Sequence, residues 1–227
     1  MKHIKHIFFD LDHTLWDFDK NSGFTFEKIF QINGLDIDLK AFLSVYEPIN
    51  FQYWKLYREE RVTKAKLRYG RLKDAFDAID VSVSDAIIDK LSEDYITYLT
   101  TFNHVFEGTF EILDYLKDKY QLHIITNGFK EAQEKKLEVS GLKDYFITVT
   151  NSEMVGVKKP NPKIFNYSLN AADAFPKESL MIGDNLEADI EGAVNVGMEA
   201  IFFDYANRIP NTEVKRITFL LELMDFL

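Results

Sequence analysis

The chain of 227 residues has no cysteine. Disulfides and thiolate metal sites are therefore excluded, and a reducing compartment fits that composition. Long apolar runs are missing too: none approaches the roughly 18 residues needed to span a bilayer. The opening stretch MKHIKHIFFDLD has too short an apolar segment for a signal peptide and then turns acidic, so a cytoplasmic location is expected. Positive charge is scarce. Against 37 Asp and Glu stand 27 Lys and Arg, a formal net charge of -10. That balance argues against a nucleic-acid polymer as partner. An anionic ligand must be attracted locally, by a metal, a lysine or a helix N-terminus. What the chain does have is apolar and aromatic mass: 46% hydrophobic residues, with 20 Phe and 11 Tyr. This is enough for a sizeable core in one large domain, or in a core plus a smaller lobe.

Two regimes alternate along the chain. Residues 1–16 and 105–227 carry short apolar runs, IKHIFFD, LHIITNG, FITVTNS, LMIGDN and EAIFFD, separated by amphipathic stretches near 108–119, 129–140, 161–172 and 186–196. Runs of this kind predict strands buried on both faces, and their alternation with helices predicts a parallel α/β sheet of Rossmann-like type. Residues 17–104 contain no such run. Their apolar spacing is helical throughout, so a helical domain is expected to sit inside the α/β domain, inserted after the first strand. Ser84 is a candidate N-cap, and Pro48 is expected to kink or break the second helix of the insert. The chain crosses between the two parts near Phe18 and near Phe106-Glu107-Gly108. There is no internal repeat and no low-complexity linker.

Ligands of an open parallel sheet bind at the carboxyl ends of its strands. After the first run come Asp10, Asp12 and Thr14; after the second, Thr126, Asn127 and Gly128; after the third, Lys158 and Lys159 before Pro160; after the fourth, Gly183, Asp184 and Asn185, with Asp189 one turn later. Two buried carboxylates placed together repel, so one must meet a cation or keep its proton. Asp10 and Asp184 can share a divalent cation, and an oxygen-only donor set suits Mg²⁺. A carboxylate beside Mg²⁺ and lysine can attack phosphorus. Asp12, placed differently, can hold a proton and give it to a leaving alkoxide.

The order DLDHT, TNG, KKPNPKIF and GDNLEAD resembles the haloacid dehalogenase (HAD) superfamily of phosphohydrolases over the full length of the chain, the helical insert being similar to that family's C1-type cap. The resemblance implies Asp10 as nucleophile, forming an aspartyl-phosphate, and Asp12 as general acid and then base. It implies Mg²⁺ held by Asp10, Asp184 and the backbone carbonyl of Asp12, with Asp189 orienting the water around the metal. Thr126 and Asn127 would hold phosphate oxygens, and Lys159, rather than Lys158, would neutralise charge. Asp12 favours phosphoester hydrolysis over dehalogenation, which does not need a second aspartate. Lys55, Lys64 and Lys66 carry no mark of the Schiff-base lysine used by phosphonate-cleaving members. The stretches FFDLDHTLWDFDKNS, YWKLYREERVTKAKLRYGRL and VGVKKPNPKIF resemble the house-cleaning pyrimidine 5'-nucleotidase branch, which implies a nucleoside monophosphate as substrate.

Each motif also has a plainer reading. Taken singly, Thr126-Asn127-Gly128 is a turn, Asp189 an acid favoured in the first turn of a helix, and Lys158 and Lys159 surface lysines. His13 is expected in the pocket wall, where it bears on substrate choice. Arg61, Lys64, Arg68 and Arg71 fall near one helical face, which is either solvated or points Arg68 or Arg71 at a nucleotide. Trp16 and Phe18 stack on a base or pack the hinge. Two rivals remain: a sugar or phosphoglycolate phosphatase of the same fold, and a phosphate-sensing binding module without turnover. The partner is expected to be a small phosphorylated molecule rather than a membrane, and the protein a monomer or weak homo-oligomer.

Overall fold

A computed structural model describes residues 1, 3–209 and 213–227. The chain divides into two compact units, Met1–Phe18 with Asn103–Leu227, and Asp19–Phe102. The first unit holds strands β1 (His6–Phe9), β2 (Gln121–Thr126), β3 (Thr148–Asn151), β4 (Ser179–Gly183), β5 (Glu199–Phe203) and β6 (Lys215–Ile217). They form one sheet in the order β3-β2-β1-β4-β5-β6, with every pairing parallel. This is the α/β core expected from the apolar runs. β6 was not expected. It is only Lys-Arg-Ile at the sheet edge, too short and too charged to show a strand pattern.

β1 and β4 are buried along their whole length, as strands covered on both faces must be. The register sets Phe9 opposite both Ile124 and Ile182. The residues that follow β1, β2 and β4 therefore leave the sheet at one level. On one face, Phe8, Ile125 and Met181 pack with Ile164, Phe165, Leu169, Ala193 and Met198. From β1 across β2 to β3 runs a polar line, in which His6 Nδ1 lies 3.2 Å from His123 Nε2 and His123 Nδ1 lies 2.9 Å from Thr148 Oγ1.

The helices, in chain order, are α1 (Phe18–Ile32), α2 (Leu39–Arg58), α3 (Lys64–Ala78), α4 (Asp85–Leu99), α5 (Thr109–Lys117), α6 (Lys130–Val139), α7 (Ser152–Val155), α8 (Pro162–Ala171) and α9 (Gly192–Asn195). The unit Asp19–Phe102 has an aromatic core of its own. Phe26 lies 4.8 Å from Phe42, 4.5 Å from Tyr46 and 4.9 Å from Tyr95, ring centre to ring centre. Such rings bury enough area to hold a small helical unit together.

Three local expectations are met only in part. α2 runs through Pro48 without ending. Pro48 and Ser44, whose carbonyl loses its helical donor, are both exposed, so water satisfies what the ring leaves open. Ser84 occupies the N-cap position of α4 but makes no side-chain capping bond. The stretch 186–196 is not one regular helix: Leu186–Glu191 is a widened π turn, followed by the short α9.

Candidate active site

The loop after β1 starts with Asp10, whose N–H still donates to the Ile182 carbonyl at 2.9 Å. The carboxylate is thereby fixed between β1 and β4. Lys159 reaches it from the loop after α7, and the Lys159-Pro160 peptide is cis. The Lys159 ammonium donates to Asp10 Oδ1 at 2.8 Å and to the Ile125 carbonyl at 2.7 Å, and it forms an ion pair with Asp189 Oδ1 at 2.6 Å. Its backbone is held by Asn127: the side-chain amide donates to the Lys159 carbonyl at 3.0 Å and accepts from the Lys159 N–H at 2.7 Å.

Asp184 follows β4, and the Thr14 hydroxyl points at its Oδ1 from 3.5 Å. Asp189 folds back from the π turn to accept the Asn185 N–H at 3.0 Å. Gly183 makes that approach possible, since a Cβ there would collide with the Asp189 carboxylate.

Asp10, Asp184 and Asp189 offer oxygens that all lie within 4.8 Å of one another. One ammonium, that of Lys159, stands against these three carboxylates. Burial raises the Asp10 carboxyl to about 7; Lys159 opposes the rise and Asp189 adds to it. Burial, then Asp189 and Asp10, push Asp184 well above the ordinary range. Burial pulls Lys159 down, but Asp10 and Asp189 outweigh it, and the ammonium is held above its usual value. A cluster of oxygen donors that would carry two uncompensated negative charges when fully ionised fits a hard divalent cation.

Asp12 turns the other way. Its Oδ2 accepts from Gln133 Nε2 at 2.7 Å and its Oδ1 from Lys136 Nζ at 2.5 Å, both on α6. Gln133 Nε2 also donates to the Thr126 hydroxyl at 3.0 Å, and the Gly128 N–H donates to the same oxygen at 3.1 Å. With both lone pairs engaged, the hydroxyl of Thr126 is left to donate its proton.

Gln133 and Lys136 do not stand out in the sequence. They sit in KEAQEKKL, where charged residues are so frequent that no single one is marked. The Gly128 of T-N-G has a reason beyond turn formation: a Cβ there would strike the Gln133 amide.

Several candidates change character. Trp16 is 0% exposed and Phe18 7%, so neither offers a free ring to a base. The Lys136 ammonium lies 4.3 Å from the Trp16 ring and 5.2 Å from the Phe18 ring, the geometry of cation–π contacts. Asn127 uses one amide hydrogen and its amide oxygen on the Lys159 backbone. His13 adopts a left-handed backbone with φ 60°. Its Nδ1 lies 3.0 Å from the hydroxyl of Tyr205, which stacks on it. In the helical unit Arg68 is half-buried. Arg71 is no solvated residue: it is 3% exposed, donates to Asn50 Oδ1 at 2.9 Å and lies 4.9 Å from the Tyr95 ring. Leu67, Leu72 and Phe76 of the same helix are buried with it.

This sheet edge, with its acids, lysine and small hydroxyl each behind a parallel strand, defines a hydrolase core of the α/β class. The family model described as haloacid dehalogenase-like hydrolase matches residues 4–197. The chain belongs to that family and is an enzyme of that hydrolase class. It is 33% identical to pyrimidine 5'-nucleotidase YjjG of Escherichia coli K12, with 89% of this chain and 87% of that one covered. Pyrimidine 5'-nucleotidase PynA of Streptococcus pneumoniae is 31% identical, with 97% and 95% covered. Glyceraldehyde 3-phosphate phosphatase of Pyrococcus furiosus is 33% identical, with 90% and 82% covered. Among solved structures, the HAD-hydrolase YfnB of Bacillus subtilis bound to magnesium superposes with a TM-score of 0.88 at 25% identity, covering 99% of this chain and 98% of that one. No helix among the described residues is long and apolar enough to cross a membrane.

Proposed function

We propose that this enzyme is a Mg²⁺-dependent phosphomonoesterase that works through an aspartyl-phosphate on Asp10 and acts on pyrimidine nucleoside 5'-monophosphates. The observation that carries the reading is the pair of oppositely committed acids. Asp10 belongs to the lysine-bound, cation-hungry cluster, and Asp12, two residues on, belongs to α6.

Asp10 attacks phosphorus with the oxygen that Lys159 does not hold, and the bond from phosphorus to the leaving oxygen breaks. Asp12 gives that oxygen a proton. In the second half, Asp12 takes a proton from water, the water oxygen bonds to phosphorus, and the bond to Asp10 breaks, returning the carboxylate and releasing phosphate. Thr126 donates to a phosphoryl oxygen, and Lys159 fixes the nucleophile while meeting part of the transferred charge. Asp10 and Asp184, with the Asp12 carbonyl, would hold a divalent cation that would supply the remaining charge neutralisation, and Asp189 would order the water around it. The unit Asp19–Phe102 serves as the cap domain that selects the leaving group.

Two nucleotidases among the relatives and the resemblance of the three stretches quoted above favour a nucleotide. The relative named for glyceraldehyde 3-phosphate supports a second reading, a sugar phosphatase. A panel of nucleoside monophosphates and sugar phosphates, with released phosphate measured with and without Mg²⁺, separates them. Best turnover on a pyrimidine nucleotide is expected; best turnover on a triose or hexose phosphate rejects the nucleotidase reading.

A further inference from the structure

The face of α6 that carries Gln133 and Lys136 is engaged with Asp12 at both oxygens. Gln133 is 1% exposed and the Lys136 side chain 3%. Burying an ammonium is unfavourable unless its surroundings replace water. Here the replacement is one carboxylate and two aromatic faces, those of Trp16 and Phe18. The rings block the other directions, so the ammonium aims at Asp12. Gln133 faces Asp12 with its NH₂, because a carboxylate accepts only. The same NH₂ touches Thr126 and so ties the acid to the phosphate-binding hydroxyl. Gly128 clears the path for that amide.

We propose that Gln133 and Lys136 are positioning residues that hold Asp12 at the height of the leaving oxygen and keep it in register with Thr126. This rests on Asp12 being the general acid of the reading above. Each Asp12 oxygen can accept in two directions, so one contact per oxygen still leaves room for the proton it transfers. Fixing the rotamer of an acid matters because proton transfer needs hydrogen-bond reach to the reacting atom. Lys136 and Gln133 need not touch the substrate for this.

The test exploits leaving-group chemistry. An alkoxide leaving from a nucleoside monophosphate needs a proton; 4-nitrophenolate does not. The ratio kcat/KM reports only the steps up to loss of the leaving group, and is compared on both substrates with Mg²⁺ present for Gln133→Ala, Lys136→Met, Lys136→Arg and Asp12→Asn. The expected result is a loss on the nucleotide at least about tenfold greater than on 4-nitrophenyl phosphate for Gln133→Ala and Lys136→Met, the same selectivity in Asp12→Asn, and recovery of most of the loss in Lys136→Arg. Unselective loss, or no loss, in the two α6 variants beside a selective Asp12→Asn overturns the positioning role. An unselective Asp12→Asn overturns the general-acid reading itself. Circular dichroism on each variant separates unfolding from either outcome.

Discussion

Replacing Asp10 by Asn should abolish turnover and yet make the metal-free protein more stable. The wild-type site crowds three carboxylates around one ammonium, and the Asp10 carboxyl is raised from 3.8 to about 7. A raised carboxyl means that the folded state keeps its proton better than the unfolded chain does. The stability this lends is full below pH 3.8 and is lost as pH climbs through about 7. At about 1.4 kcal/mol for each pH unit that separates the folded from the unfolded value, ionised Asp10 weakens the fold by roughly 2–4 kcal/mol at pH 8, and by less than half of that at pH 5. Asn approximates the neutral carboxyl in shape and charge. Asp10→Asn should therefore gain roughly 2–4 kcal/mol over wild type at pH 8 in buffer with EDTA, with the gain shrinking toward pH 5. Urea unfolding followed by tryptophan fluorescence measures it. Adding Mg²⁺ should then stabilise the wild type much more than the variant, because only the wild type has the full set of negative charge to neutralise. An Asp10→Asn protein less stable than wild type at pH 8 without divalent ions would refute the reasoning: Lys159 alone would then satisfy the cluster, and no further cation would be called for.

Gly128→Ala should fold with a loss of no more than about 1–2 kcal/mol, since the atom it displaces is the end of a flexible side chain. It should nonetheless reproduce the leaving-group selectivity of Gln133→Ala, because the amide must quit Asp12 and Thr126 to make room; kcat/KM on the two phosphate esters checks it. A pH effect on stability is expected from the buried histidines. Burial, with His6 beside it, lowers His123 to about 4. The unfolded chain therefore takes up a proton first, and the stability present above pH 6.5 is lost as pH falls through about 4. Between pH 7 and pH 4 the wild type should lose about 2 kcal/mol more than His123→Gln, allowing for partial solvent screening. Parallel urea midpoints for the two proteins read this out, and equal slopes against pH would assign the acid sensitivity elsewhere.

The parallel sheet was legible because β1, β2 and β4 are buried on both faces and so leave uninterrupted apolar runs. Asp10, Asp12 and Asp184 were legible because they follow such runs directly, and Lys159 because it comes in the loop beyond the third run; parallel pairing carries those ends to one edge. β6 was not legible, since three residues carry no period. The continuation of α2 through Pro48 was not legible either, since it depends on which side of the helix meets water. The sequence left Trp16 between stacking on a base and packing near the crossing; burial decides between them, and Trp16 is enclosed.

By itself, then, the sequence determined the sheet, the edge that carries the acids, and the donor types there, because these follow from local periodicity and from residue types at strand ends. Only the tertiary structure decided how the acids divide their partners. Asp10 meets a lysine 149 positions away, and Asp12 meets an amide and an ammonium 121 and 124 positions away. Side-chain contacts across such separations are fixed by how whole elements pack, and no period along the chain encodes them.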